Sequence, residues 1–269
     1  MNRNANILRL LFLGDIFGEP GRRAVKRFVP ELREKLALDL VLANCENAAN
    51  GRGISKRLAD EVFSSGVDFM TSGNHIFAVN DSYPFLNEPN CRVLRPYNFS
   101  SASPGRGVGI VTAANGVRVG VINLMGRVYM EPGVDLPFAR FDDALLELKS
   151  ECDVAVLDFH AEASAEKRAM GWHVDGRVQL CVGTHTHVQT ADEEILPKGT
   201  AYITDLGMCG PYDSVIGMNK ETVLKRFRQQ IPGRFDVADG DVRLCGIVCE
   251  IDVLRKRAVS IERICERLK

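Results

Sequence analysis

Five short polar clusters, each placed after an apolar run of strand length, constrain this chain more than any other feature. They are Gly14-Asp15, Asn44-Cys45-Glu46-Asn47, Gly73-Asn74-His75, Asp158-Phe159-His160 and Gly183-Thr184-His185-Thr186-His187. Four of the five histidines lie in them. A fold must gather these strand ends along one edge, or bury many polar groups without partners, which is costly. The fifth histidine, His173 beside Trp172, belongs to no cluster and reads as structural or surface.

The segments between the clusters alternate strand and helix. Residues 7–13 read as a buried strand, and residues 19–37 repeat apolar positions at helical spacing, with Pro20 in the first turn. Strands follow at 40–43 and 67–71, on either side of a helix that Ser55 can cap and Gly66 can end. Runs at 108–113 and 117–124 flank Asn115-Gly116, so a hairpin brings antiparallel pairing into the sheet. Helices are expected over 141–149, 161–171 and 220–229, and strands over 154–159, 180–183, 201–204 and 245–251. Residues 232–240 read as surface loop. The expectation is an α/β fold of two stacked mixed sheets covered by helices. It forms one domain over residues 1–269, with room for a small cap of inserted loops.

Charge and cysteine usage exclude several classes. A net charge of −1 provides no global field toward nucleic acid or membrane. No basic stripe with interleaved aromatics is present, so extended nucleic-acid binding is not expected. The apolar run at 7–13, flanked by Arg3 and Arg9, is too short to span a membrane and is followed wrongly for signal cleavage. The eight cysteines form no CxxC pair. Cys245 and Cys249 share one face of a strand at roughly 13 Å, too far for a disulfide. This is the usage of a reduced, cytoplasmic protein.

The stretch from Gly14 to Gly21 follows a strand and opens a helix, but its spacing is GxxxGxxG rather than GxGxxG. Asp15 would stand where a pyrophosphate needs bare amides, so a cation suits this position better than a dinucleotide. Glu46 offers a carboxylate able to bridge two ions, and Asn47 adds a neutral oxygen. The glycine-rich loop that follows carries Arg52, as a phosphate contact or as a solvated arginine. Asn74 offers an amide oxygen, and the adjacent His75 suits proton donation. His160 ends an apolar strand. His185 and His187, at i and i+2 of an extended chain, would point the same way into one cavity. Asp15, Glu46, Asn74, His160, His185 and His187 suffice for two divalent ions. With no thiolate among them, Mn, Fe, Zn or Ni fits. Two such ions, two carboxylates and a bridging hydroxide leave a charge of about +1, a local trap for a phosphate anion.

The order GD…EN…GNH…H…GTHTH resembles the five blocks of the calcineurin-like metallophosphoesterase family, over nearly the whole chain. That family's DxH is here Asp15-Ile16-Phe17, and its GD is here Glu46-Asn47. Both departures, together with residues 158–163, 183–192 and 207–212, are similar to the YmdB-like cyclic-nucleotide phosphodiesterase branch. The resemblance implies a four-layer α/β/β/α sandwich and a two-metal site, loaded with manganese or iron. Asp15, Glu46, Asn47 and His187 would hold one ion; Glu46, Asn74, His160 and His185 would hold the other. Asn47 would replace the missing histidine, and His75 would be the general acid. The implied reaction is hydrolysis of small 2′,3′-cyclic nucleotides by a metal-bridging hydroxide, in a cytoplasmic homo-oligomer. Two alternatives stay open: a phosphomonoesterase, and a regulatory protein that binds a nucleotide or RNA end with little turnover. Phe77, Tyr129 and Tyr212 could stack on a base, though each also fits core or surface.

Overall fold

The computed structural model describes residues 6–148, 151–232 and 235–269. In chain order the first half contains β1 (Ile7–Ile16), α1 (Gly18–Lys35), β2 (Leu40–Asn44), α2 (Lys56–Ser64), β3 (Phe69–Thr71), α3 (Ser82–Leu86), β4 (Val108–Thr112) and β5 (Arg118–Met125). The second half contains α4 (Pro137–Leu148), β6 (Val154–His160), α5 (Ser164–Val174), β7 (Leu180–Thr184), β8 (Glu194–Ile195), β9 (Ala201–Ile203), β10 (Met208–Pro211), α6 (Lys220–Gln229), β11 (Val242–Asp252) and β12 (Arg257–Arg267).

The strands form two six-stranded sheets, ordered β12-β11-β10-β1-β2-β3 and β4-β5-β6-β7-β9-β8. In the first, β1 runs parallel to β2 and β10, while β11 crosses antiparallel to β10 and also meets the lower part of β1. In the second, β5, β6, β7 and β9 are parallel, and the edge strands β4 and β8 are antiparallel.

Alternation along the strands sorts side chains into three cores. Leu8, Leu10 and Phe12 pack between the sheets with Val119, Val121, Val154 and Val156. Leu11 and Leu13 face the opposite way, onto Val25 and Val29 of α1 and Leu58 and Val62 of α2. Ala155, Leu157 and Phe159 face outward onto Phe141 and Ala144 of α4 and Met170 of α5. Three cores separate four layers, α/β/β/α. Both faces of the central strands are thus buried, which is why they read as unbroken apolar runs.

Local signals hold where chemistry dictates them. The Ser55 side chain accepts from Leu58 N–H at the start of α2. The β4–β5 hairpin closes around Gly116 at φ +87°, with Asn115 Oδ1 accepting from Val117 N–H. Other elements differ from expectation. β1 runs on through Asp15 and Ile16 because β10 pairs with that end, Asp15 opposite Met208. The helix expected at 161–171 begins only at Ser164, since residue 163 is extended (φ −77°, ψ 120°). The expected end of α4 at residue 149, part of the loop at 233–234, and Arg3 lie outside the described residues. No helix among the described residues is long and apolar enough to cross a membrane.

Candidate metal centre

The carboxyl ends of β1, β2, β3, β6 and β7 open onto one cleft, the usual position for a site in parallel α/β sheets. Asp15 arrives from β1, Glu46 and Asn47 just beyond β2, and Asn74 and His75 beyond β3. His160 is the last residue of β6, and His185 and His187 follow β7. Ligand atoms of Glu46, His160 and His185 all lie within 4.8 Å of one another. His160 Nε2 is 3.3 Å from Glu46 Oε2, 3.2 Å from Asn74 Oδ1 and 3.0 Å from His185 Nδ1. Asp15 Oδ2 accepts from His185 N–H at 3.1 Å. Glu46, Asn47, Arg52, His75, His185 and His187 line a cavity of about 420 Å³, within the range of small-molecule sites.

The placement of His185 and His187 corrects the extended-chain expectation. β7 stops at Thr184, and the two histidines take φ +105° and +65°. A left-handed turn, not period-two alternation, brings them to the cleft. Such backbone costs roughly 1–3 kcal/mol per residue and persists only where the surroundings enforce it. Here Asp15 holds His185 N–H, and Asp205 Oδ2 holds Thr186 N–H at 3.1 Å. Lys167 in turn clamps Asp205 at 2.6 Å, with both side chains 1% exposed.

Three inward polar groups beneath the cleft escape a search for metal ligands. Asp158 Oδ1 accepts from the Thr184 hydroxyl at 2.7 Å, and Asp158 Oδ2 accepts from Asn44 Nδ2 at 3.0 Å. With its one proton given to Asp158, Thr184 can only accept from His160 Nδ1–H, 2.8 Å away. Nε2 is then the His160 atom that faces the donors. Asn44 Oδ1 also accepts from Glu46 N–H at 3.0 Å, shaping the turn that aims Glu46. Asp158, Asn44 and Thr184 all stood inside the sequence clusters; burial at a strand end was the signal for each. Glu162, 3.2 Å from His185 Nε2, was hidden by the expected early start of α5.

Close polar neighbours also hold the His75 and His187 rings. Asn47 Nδ2 faces the Gly51 carbonyl at 2.8 Å and His75 Nδ1 at 3.2 Å. Glu46 Oε1 lies 3.3 Å from the same Nδ1, so an amide and a carboxylate together hold that edge of the His75 ring. His187 Nδ1–H donates to the Ile216 carbonyl at 2.8 Å, leaving its Nε2 bare. Phe17, where the resembled motif has histidine, packs edge-on against the His187 ring at 5.2 Å.

Electrostatics match a cation cradle. Burial pushes the Asp15 carboxyl well above the usual carboxylate range, against the pull of His160. Burial would raise Glu46 too, but His160 and then His75 hold it well below that range. Burial disfavours the His160 imidazolium, yet Glu46, then Asp15 and Asp158, lift it to about 9. His185 is pushed down to about 3 by burial and by the His160 charge, and burial lowers His187. A divalent cation fits this set on two further observations. Asp15 Oδ1 and Asn47 Oδ1 are buried without a hydrogen-bond partner, an expensive state that a cation would relieve. Gly73 also leaves the space beside His160 Nε2 and Glu46 Oε2 clear, where any Cβ would intrude.

Fold and donor set together define a two-sheet sandwich with a candidate nitrogen–oxygen metal cradle at its strand ends. The chain belongs to the YmdB-like protein family, whose model matches residues 11–264. It is 47% identical over 258 residues to a 2′,3′-cyclic-nucleotide 2′-phosphodiesterase of Bacillus subtilis (strain 168), covering 96% of each chain. Its fold is similar to the crystal structure of a novel phosphatase from Mycoplasma pneumoniae, with a TM-score of 0.91 and 34% identity over 97% of this chain and 94% of that one. It is similar also to a protein of Thermus thermophilus described as hypothetical, with a TM-score of 0.89 and 38% identity over 97% and 100% of the two chains.

Proposed function

We propose that this protein is a metal-dependent phosphodiesterase acting on 2′,3′-cyclic nucleotides. The observation that carries the reading is the convergence of Glu46, His160 and His185 donor atoms within 4.8 Å, in the cleft that His75 also lines. The 47% identity to the Bacillus subtilis enzyme supports the substrate class. Asp15, Glu46, Asn47 and His187 would hold one cation, and Glu46, Asn74, His160 and His185 the other, with manganese or iron the natural occupants. Two bound divalent cations supply Lewis acidity and hydroxide at neutral pH.

The chain's own groups do the rest. Thr184 keeps His160 Nε2 free for a cation, and the Ile216 carbonyl does the same for His187. His75, its Nδ1 held by Asn47 and Glu46, would deliver a proton to the leaving alkoxide. Arg52, on the cleft wall, would add a positive contact to the phosphate. Turnover of 2′,3′-cyclic AMP by manganese-loaded protein tests the reading, with an Asp15→Asn, His185→Ala double variant as the blank. Turnover that vanishes in the blank is expected. No turnover with metals bound would overturn the assignment, and faster turnover of monoesters than diesters would move it to a phosphomonoesterase.

A further inference from the structure

Residues 215–218 form a two-residue hairpin turn at the cleft rim. Val215 N–H donates to the Met218 carbonyl at 2.9 Å, and Met218 N–H donates to the Val215 carbonyl at 3.0 Å. The two central residues, Ile216 and Gly217, take φ +48° and +101°. A turn with both values positive favours Asn-Gly, Asp-Gly or Gly-Gly. Glycine at 217 is required twice, by its φ and because a Cβ there would lie 2.6 Å from the Phe17 ring. A β-branched residue at 216 is a genuine outlier.

Local structure gives isoleucine no reason to be there. The backbone carbonyl of residue 216 holds His187 Nδ1–H, and any side chain would leave that carbonyl in place. Packing offers no reason either, since Ile216 is 53% exposed. Yet it lines the candidate site, beside Met218 and Phe17, in the same cavity as Arg52, His75 and His187. Strain kept at a site rim signals a role toward a ligand. The aromatic residues singled out in the sequence cannot fill that role. Phe77 packs on Tyr83 and Phe99, and Tyr212 bonds to Met208 and Cys245. None of Phe77, Tyr129 and Tyr212 lines this cavity.

We propose that Ile216, backed by Met218, is the apolar contact for the nucleobase of the substrate, and so determines preference for nucleotides over baseless phosphodiesters. The inference rests on the phosphodiesterase reading and deepens it. An apolar contact senses whether a base is present and discriminates weakly between bases.

The test compares wild type, Ile216→Asn and Ile216→Val, all metal-loaded. The readouts are kcat/KM for 2′,3′-cyclic AMP relative to baseless ribose 2′,3′-cyclic phosphate, and the calorimetric Kd for adenosine 3′-monophosphate. Ile216→Asn suits the turn and should raise Tm by about 2 °C. It should lower the kcat/KM ratio about tenfold and weaken Kd about tenfold, as expected from withdrawing an Ile-sized contact. Ile216→Val should keep most of both. A ratio within about twofold of wild type for Ile216→Asn would overturn the proposal while the phosphodiesterase reading stands. If wild type turns over neither substrate, that reading fails, and the Kd decides alone: a tenfold loss keeps the base contact, and unchanged or undetectable binding overturns it.

Discussion

The Thr184 hydroxyl lies 2.8 Å from Nδ1 of His160, and its proton is committed to Asp158. A hydroxyl thus sets the tautomer of an imidazole in the candidate metal site, the kind of support that typically changes metal affinity ten- to a hundredfold. Thr184→Val should weaken manganese binding by about that factor, and Thr184→Ser should restore it. Chelator competition measures both. Equal affinity in the valine variant would remove Thr184 from this role.

Gly73 tests the cradle by volume alone. In Gly73→Ala the new methyl would meet His160 Nε2 and Glu46 Oε2. The variant should fold, as judged by circular dichroism, but keep less than about a tenth of the wild-type manganese after dialysis, from steric conflict at the donors. Full metal content would mean that the cations sit elsewhere.

In the metal-free protein His160 holds its proton to about 9. A cation must displace that proton, so affinity should climb with pH, by up to about tenfold per unit from neutrality, and level off above about 9. Manganese titrations at three pH values measure the slope; a flat profile would contradict it. The sign for folding is opposite. A raised histidine value stabilises the metal-free fold fully below its ordinary 6.5, and this support fades as pH rises through about 9.

Lys167 and Asp205 form a buried pair behind the histidine turn, and Asp205 also receives Thr186 N–H and Gly207 N–H. Lys167→Met strands that carboxylate in the interior. A loss of about 3–5 kcal/mol in urea unfolding is expected. A change under about 1 kcal/mol would show that the carboxylate finds compensation from its other donors.

The sequence by itself determined the layered α/β plan and the polar strand ends, because both depend on local periodicity and on which residues close an apolar run. Asp15, Glu46, Asn47, Asn74, His75, His160, His185 and His187 were legible because polar side chains after buried strands need partners. What surrounds them was not. β12 escaped notice because it is an edge strand with charged outward positions, which weakens the alternation. Tertiary structure alone decided that Thr184 and Asp158 orient His160, that Asp205 and Lys167 hold the histidine turn, and that Ile216 reaches the cleft. Each of these links joins segments separated in the chain, and its geometry exists only once the strands have paired and the helices and loops have docked on them.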